Sequence, residues 1–163
     1  NPTLFEWFSS SIVYQKTEFA DEFRDLMMHY FSSKKTLYHY ISMAEGNYRE
    51  YLKGEIVRAK KYFYVLRPVL ACRWILDRGT PPPMLFSELV KEELPVELIN
   101  PVNQLLELKM NSSEVKLIKR ITEINEYLDE SIPSIKSAVR LLDDSHTPDW
   151  SELNQLFLRE LMK

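Results

Sequence analysis

The spacing of apolar and polar residues divides the chain into helical stretches and almost nothing else. Leu4, Phe5, Trp7 and Phe8 follow Asn1-Pro2, a cap and first-turn proline, and predict a short apolar helix that Ser9-Ser10-Ser11 ends. Phe19, Phe23, Leu26, Met27 and Tyr30 fall on one face of a second helix, over 18–31. A third runs over 34–53, entered from Ser32 or Ser33 and closed by Gly54. The fourth, over 55–77, is the longest uninterrupted one and stops at Arg78-Gly79-Thr80 and the three prolines that follow.

Shorter helices are predicted over 86–91 and 95–108. The capping box Asn111-Ser-Ser-Glu114 opens another, to about Glu130. Pro133 is expected to interrupt it before a further run to Leu142, and Thr147-Pro148-Asp149 starts a last helix carrying Trp150, Leu153, Leu156, Phe157 and Leu161. No stretch alternates as a strand would, and no repeat or low-complexity tract is present. The pattern predicts an all-α fold, a bundle of about six to eight helices. Residues 1–16 read as a leading segment and 17–163 as one helical domain, with 34–78 at its centre.

Composition narrows the picture. The chain has 163 residues, 45% apolar and 28% charged, enough for one sizeable core, and three glycines are too few for a turn-rich β fold. One cysteine, Cys72, cannot form an internal disulfide, so a cytoplasmic setting is expected. No apolar run is long enough to cross a bilayer, so no membrane is expected. The chain does not begin with Met, which suggests a piece of a longer protein.

Charge singles out the middle of the chain. Between Asn47 and Arg78 there are eight Lys and Arg against Glu50, Glu55 and Asp77, a local +5 on a chain whose net charge is −3. On a helical wheel Lys60, Arg67 and Arg78 share one stripe of the fourth helix, with Tyr64 and Ala71 beside them and Lys61 at its edge. Cations interleaved with a ring suit phosphates and bases. They equally suit a solvated face of an amphipathic helix. Pro68 would kink the stripe at its middle. Arg73 falls on the apolar wall and calls for a partner such as Glu45 or Glu50, because an unpaired buried charge is costly.

On the third helix Gly46 costs roughly 1 kcal/mol relative to alanine, which implies close approach of a helix or ligand to the backbone. His39 on the same helix is a candidate base or phosphate contact. His29, His39, His146 and Cys72 lack the spacing of a zinc site, and no phosphate-binding glycine loop or nucleophile motif is present. Asp143-Asp144 reads as solvated charge at a helix end. No catalytic residue and no metal ligand is identified in the chain.

Three stretches taken in order carry a resemblance: NPTLFEWF, then YFSSKKTLYHYISMAEGNYREYLKGE, then VRAKKYFYVLRPVLACRWILDRGTPPPMLFSELV. Over residues 1–110 the chain resembles the nucleotidyltransferases of the DNA polymerase β superfamily, specifically a bacterial and phage group associated with RNA repair. The resemblance implies transfer of a nucleotide from an NTP with magnesium held by a Gly-Ser turn and an Asp-x-Asp pair. Those elements are absent here, so it further implies that the catalytic half lies upstream of Asn1 and that this chain is the helical C-terminal portion, inactive alone. Lys60, Lys61, Tyr64 and Arg67 would then face the phosphates, and His39, Tyr40, Asn47 or Tyr48 the base or acceptor. Its implied partners are the NTP, an acceptor such as RNA, and its own N-terminal catalytic domain. Two alternatives remain: a non-catalytic RNA- or protein-binding helical module, and a domain that self-associates through Leu4, Phe5, Trp7 and Phe8.

Overall fold

The computed structural model describes residues 2–111, 116–143 and 148–162. Among them lie eight α-helices: α1 (Pro2–Phe8), α2 (Glu18–His29), α3 (Ser33–Tyr51), α4 (Lys61–Arg78), α5 (Phe86–Glu93), α6 (Ile99–Asn111), α7 (Thr122–Leu141) and α8 (Ser151–Leu161). A 3-10 turn, Val96–Leu98, leads into α6, and a two-stranded ribbon pairs β1 (Ile56–Arg58) with β2 (Leu117–Lys119). The all-α expectation stands.

α4 is the axis of the packing. Its sequence is apolar nearly all the way round, and a helix of that kind must be covered. Tyr62, Val65, Leu66, Val69, Leu70, Ala71 and Cys72 are fully buried, with α3, α5 and α7 laid against them. Burial pushes the Cys72 thiol far above its ordinary range, so it sits in the core as a small apolar side chain. Pro68 is buried inside α4 without ending it. Gly79 closes the helix at φ 65°, a left-handed geometry glycine adopts without strain, its N–H donating to the Ile75 carbonyl at 2.9 Å.

Four expectations need correction. The first turn predicted for the fourth helix is instead the strand β1, and the helix starts at Lys61. Ile56 and Val57 are β-branched, and their partner strand lies about sixty residues away, beyond the reach of any local pattern. Pro133 does not interrupt α7, because Ile124, Leu128, Ile132, Ile135 and Val139 hold one buried face across it. Gly46 has no close neighbour: a Cβ there would meet nothing within 4 Å. The helix expected to open at Asn111 does not form there: Asn111 ends α6, residues 117–119 are the strand β2, held extended by its pairing with β1, and α7 starts at Thr122. Residues 112–115, with the rest of the capping box, and residues 144–147, with the predicted start of the last helix, His146 and half of the Asp143-Asp144 pair, lie outside the described residues.

A buried polar knot joins three helices. Asn125, 4% exposed, donates from Nδ2 to the Leu52 carbonyl at 2.9 Å and accepts from the Tyr62 hydroxyl at 2.6 Å. The Tyr62 hydroxyl in turn accepts from the Ile121 N–H at 2.7 Å. The Tyr48 hydroxyl donates to the Asn125 carbonyl at 3.3 Å. The end of α3, the start of α4 and the start of α7 are thereby fixed at one point, with every polar atom satisfied.

α1 folds back onto α3 and α4. Phe5 is buried edge-on to Phe31, ring centroids 5.1 Å apart. Glu6 Oε1 accepts from the Tyr40 hydroxyl and from Arg67 Nη1, both at 2.8 Å. Phe8 meets Phe23 of α2, so of the apolar residues once available for self-association only Trp7 is largely exposed. α8 lies on α2, with Arg159 paired to Glu22.

Two substitutions test these joints. Asn125→Ala strands the Tyr62 hydroxyl and the Leu52 carbonyl and is expected to cost about 2–3 kcal/mol in urea unfolding; a loss below about 0.5 kcal/mol would show that the knot carries little. Glu6→Gln removes the charge shared by Tyr40 and Arg67. It should lower the opening free energy of α1 amides in hydrogen exchange by about 1–2 kcal/mol while α7 amides keep their protection. Equal protection of α1 in both proteins would contradict the latch.

Candidate functional site

The return of α1 leaves a cleft of about 360 Å³ between it and the α3–α4 pair. Thr3 and Glu6 line it from α1; His39, Tyr40, Met43 and Asn47 from α3; and Phe63, Tyr64, Arg67 and Pro68 from α4. Spacing explains the α3 wall, since His39, Met43 and Asn47 stand one turn apart and share a face. The lining is mostly apolar with a few convergent polar groups, the usual make-up of a small-molecule site.

Its electrostatics are set by one charge pair. Arg67 donates to Glu6 from Nη1 and to the Met84 carbonyl from Nη2 at 3.1 Å, with about a quarter of its side chain exposed. The cation is compensated and held in one geometry. Burial and then the hydrogen bond to Glu6 push the Tyr40 phenol far above its ordinary range, so it stays protonated and keeps donating. Asn47, part of the lining, donates from Nδ2 to the Met43 carbonyl at 2.8 Å and keeps its amide oxygen as an acceptor. Tyr64 is 42% exposed and offers a ring face at the edge.

Five of the residues singled out in the sequence thus meet here: His39, Tyr40, Asn47, Tyr64 and Arg67. Three do not. Tyr48 is buried, its hydroxyl spent on Asn125, because it lies a turn beyond Tyr40 and Ala44 on the core face of α3. Lys61 lies over two rings, 3.6 Å from the Tyr51 centroid and 4.7 Å from that of Tyr64, outside the cleft lining. Lys60 precedes it at the start of α4 and is likewise not part of the lining.

The wheel's row of cations is also dispersed. Arg78 pairs with Glu92 at 3.0 Å and with Glu93, and stacks on Trp74. Burial raises the Glu93 carboxyl above its ordinary value while Arg78 opposes the shift. Arg73 finds neither Glu45 nor Glu50. It donates to the Tyr127 hydroxyl at 3.0 Å and lies over that ring, while Glu45 is taken by Lys136 at 2.7 Å.

Thr3 and Glu6 were not among the residues singled out, since nothing local says where α1 will dock. The available signal was that Glu6 is the sole ionisable residue in Pro2–Phe8. Among the described residues no three His, Cys, Asp or Glu side chains come together to hold a metal ion. No described helix is long and apolar enough to cross a membrane.

Comparison with known proteins adds the family. The uncharacterized protein YcgL of Bacillus subtilis (strain 168) is 42% identical over 160 residues, 97% of this chain and 62% of that protein. The chain thus spans less than two thirds of the length of the curated relative it matches. No solved structure matches it. A family model described as the RNA repair pathway DNA polymerase beta family matches residues 1–159, nearly the whole chain. The chain belongs to that RNA repair pathway DNA polymerase beta family.

Proposed function

We propose that this chain is the helical portion of a nucleotidyltransferase that moves a nucleotide from an NTP to an acceptor, and that it is not catalytic alone. The family membership over residues 1–159 carries the reading. The cleft between α1, α3 and α4 supports it by supplying a ring, an amide oxygen, a guanidinium and a carboxylate around a space of nucleotide-fragment size. Magnesium is required on this reading, and the carboxylates that hold it belong to a catalytic domain outside this sequence.

The roles follow from what each group has left to give. The Tyr64 ring stacks on the base, and Asn47 accepts from a base N–H. Arg67 meets a phosphate by exchanging Glu6 for it, since both are planar or branched oxygen acceptors of one guanidinium fork. That exchange makes α1 responsive to nucleotide, because Glu6 is its polar tether. His39, exposed on the cleft edge, lies toward the acceptor. Tyr40 stays neutral and holds Glu6 when Arg67 turns away.

The test uses the longer protein of which this reading makes the chain a part. With magnesium, labelled NTPs and an RNA acceptor it should transfer nucleotide, and the 163-residue chain should not. Tyr64 has no structural hydrogen bond among those described, so Tyr64→Ala is the clean variant and should raise KM about tenfold with kcat nearly kept. Arg67→Lys, which keeps the charge and loses the fork, should lower kcat/KM by about 10–100-fold. A longer protein that neither binds NTP nor transfers nucleotide would overturn the reading.

A further inference from the structure

The β1–β2 ribbon gathers cations that are far apart in sequence. Pairing Ile56 with Lys119 and Arg58 with Leu117 puts Arg58 and Lys119 diagonally on one outward face, since alternate residues of a strand share a side. Val57, between them, points to the core. Alternation puts Lys116 and Arg120 on the other side, with Val57, but both are exposed at the two ends of the ribbon, where the backbone ladder continues through Ala59 to Lys116 and Glu55 to Arg120. Across 53–61 and 116–120 the sequence carries seven Lys and Arg and a single carboxylate, Glu55, in a chain of net charge −3.

Not all of those charges are free. Lys53 is paired with Asp129, and Arg120 lies beside Glu55 at 3.8 Å. Arg58, Lys116 and Lys119 have no ion-pair partner among the described residues. Between the cations Ile56 and Leu117 are 55% and 60% exposed, apolar ground on which an unstacked base can rest. From Arg58 the path continues to Lys61, which lies between the rings of Tyr51 and Tyr64, and Tyr64 is a wall of the cleft.

We propose that this face of the ribbon, with the exposed end at Lys116, binds a single-stranded RNA, Arg58 and Lys119 meeting phosphates across the face and Lys116 one at its end, and the strand leading past Lys61 to the Tyr64 edge of the cleft. Charge complementarity selects a polyanion. The small face, with apolar side chains set among the cations, suits splayed bases; a duplex presents its bases stacked inside and needs cations spread across a groove. The site is separate from the nucleotide cleft, and binding to it needs neither nucleotide nor metal. It can therefore hold or fail whatever becomes of the transfer reading.

Fluorescence anisotropy on this chain with a labelled single-stranded RNA of about 12 nucleotides tests it, read at several KCl concentrations. Expected is a Kd on the order of micromolar at low salt and a slope of log K against log salt of about −2, from three phosphate contacts at about 0.7 each. The triple variant Arg58→Ser, Lys116→Ser, Lys119→Ser should bind at least about tenfold more weakly, with the slope approaching zero. The control triple Lys35→Ser, Lys91→Ser, Arg140→Ser, exposed cations on α3, α5 and α7, should bind as the parent does. Circular dichroism establishes that both triples are folded. Absence of binding at low salt, equal weakening by both triples, or tighter binding of duplex than of single strand would each overturn the proposal.

Discussion

The burial of α4 is the constraint on which the rest of the structure depends. A helix with apolar residues around most of its circumference leaves little rim for its charged residues, so each of them has to find compensation at the edge of the core. Arg67 takes Glu6, Arg73 takes the Tyr127 hydroxyl, Arg78 takes Glu92 and Glu93, and Lys61 lies on the faces of Tyr51 and Tyr64. Apart from Tyr64, which is in α4 itself, those compensators belong to α1, α7, α5 and α3. The polar edge of one buried helix thus helps to fix the places of its neighbours, and the polar knot at Asn125 fixes its beginning.

That constraint also shapes the cleft. Glu6 is drawn to the half-buried guanidinium of Arg67, and α1 comes with it, closing a third side over the α3–α4 pair. On the proposed reading the same pair of charges also makes the wall responsive, because a phosphate can replace a carboxylate on an arginine at small electrostatic cost. A helix that docks by this contact is suited to report whether the cleft is filled. The ribbon carries Arg58 and Lys119, exposed cations without an ion-pair partner among the described residues, and β1 ends three residues before Lys61 opens α4.

Legibility in the sequence followed how local each cause is. Most of the helices follow apolar spacing, caps and prolines, with centres near where the pattern puts them; the one predicted over 111–130 does not, because β2 and the entry to α7 occupy its middle. Gly79 was readable as a stop, and Tyr64 and Asn47 as neighbours of a possible ligand. What could not be read depends on distant partners. β1 exists because Leu117–Lys119 comes alongside it, and without that partner Glu55–Lys60 looks like a helix start. Pro133 was overruled by a buried face that continues on both sides of it. The basic stripe looked like a row of free cations only because Glu6 and Glu93 are far from it in sequence. Tyr48 is a plainer case: a wheel shows which residues share a face, and the core took the face that held it.

The central claim is that the α1–α3–α4 cleft is where this family member's nucleotide lies. Photocrosslinking the longer protein with an azido-substituted nucleoside triphosphate, followed by peptide mapping, tests it most directly. The account predicts adducts on cleft residues such as Met43, Asn47 and Tyr64, suppressed by excess unlabelled NTP. Competable adducts confined to the α2–α8 face, or to the catalytic segment alone, would contradict it.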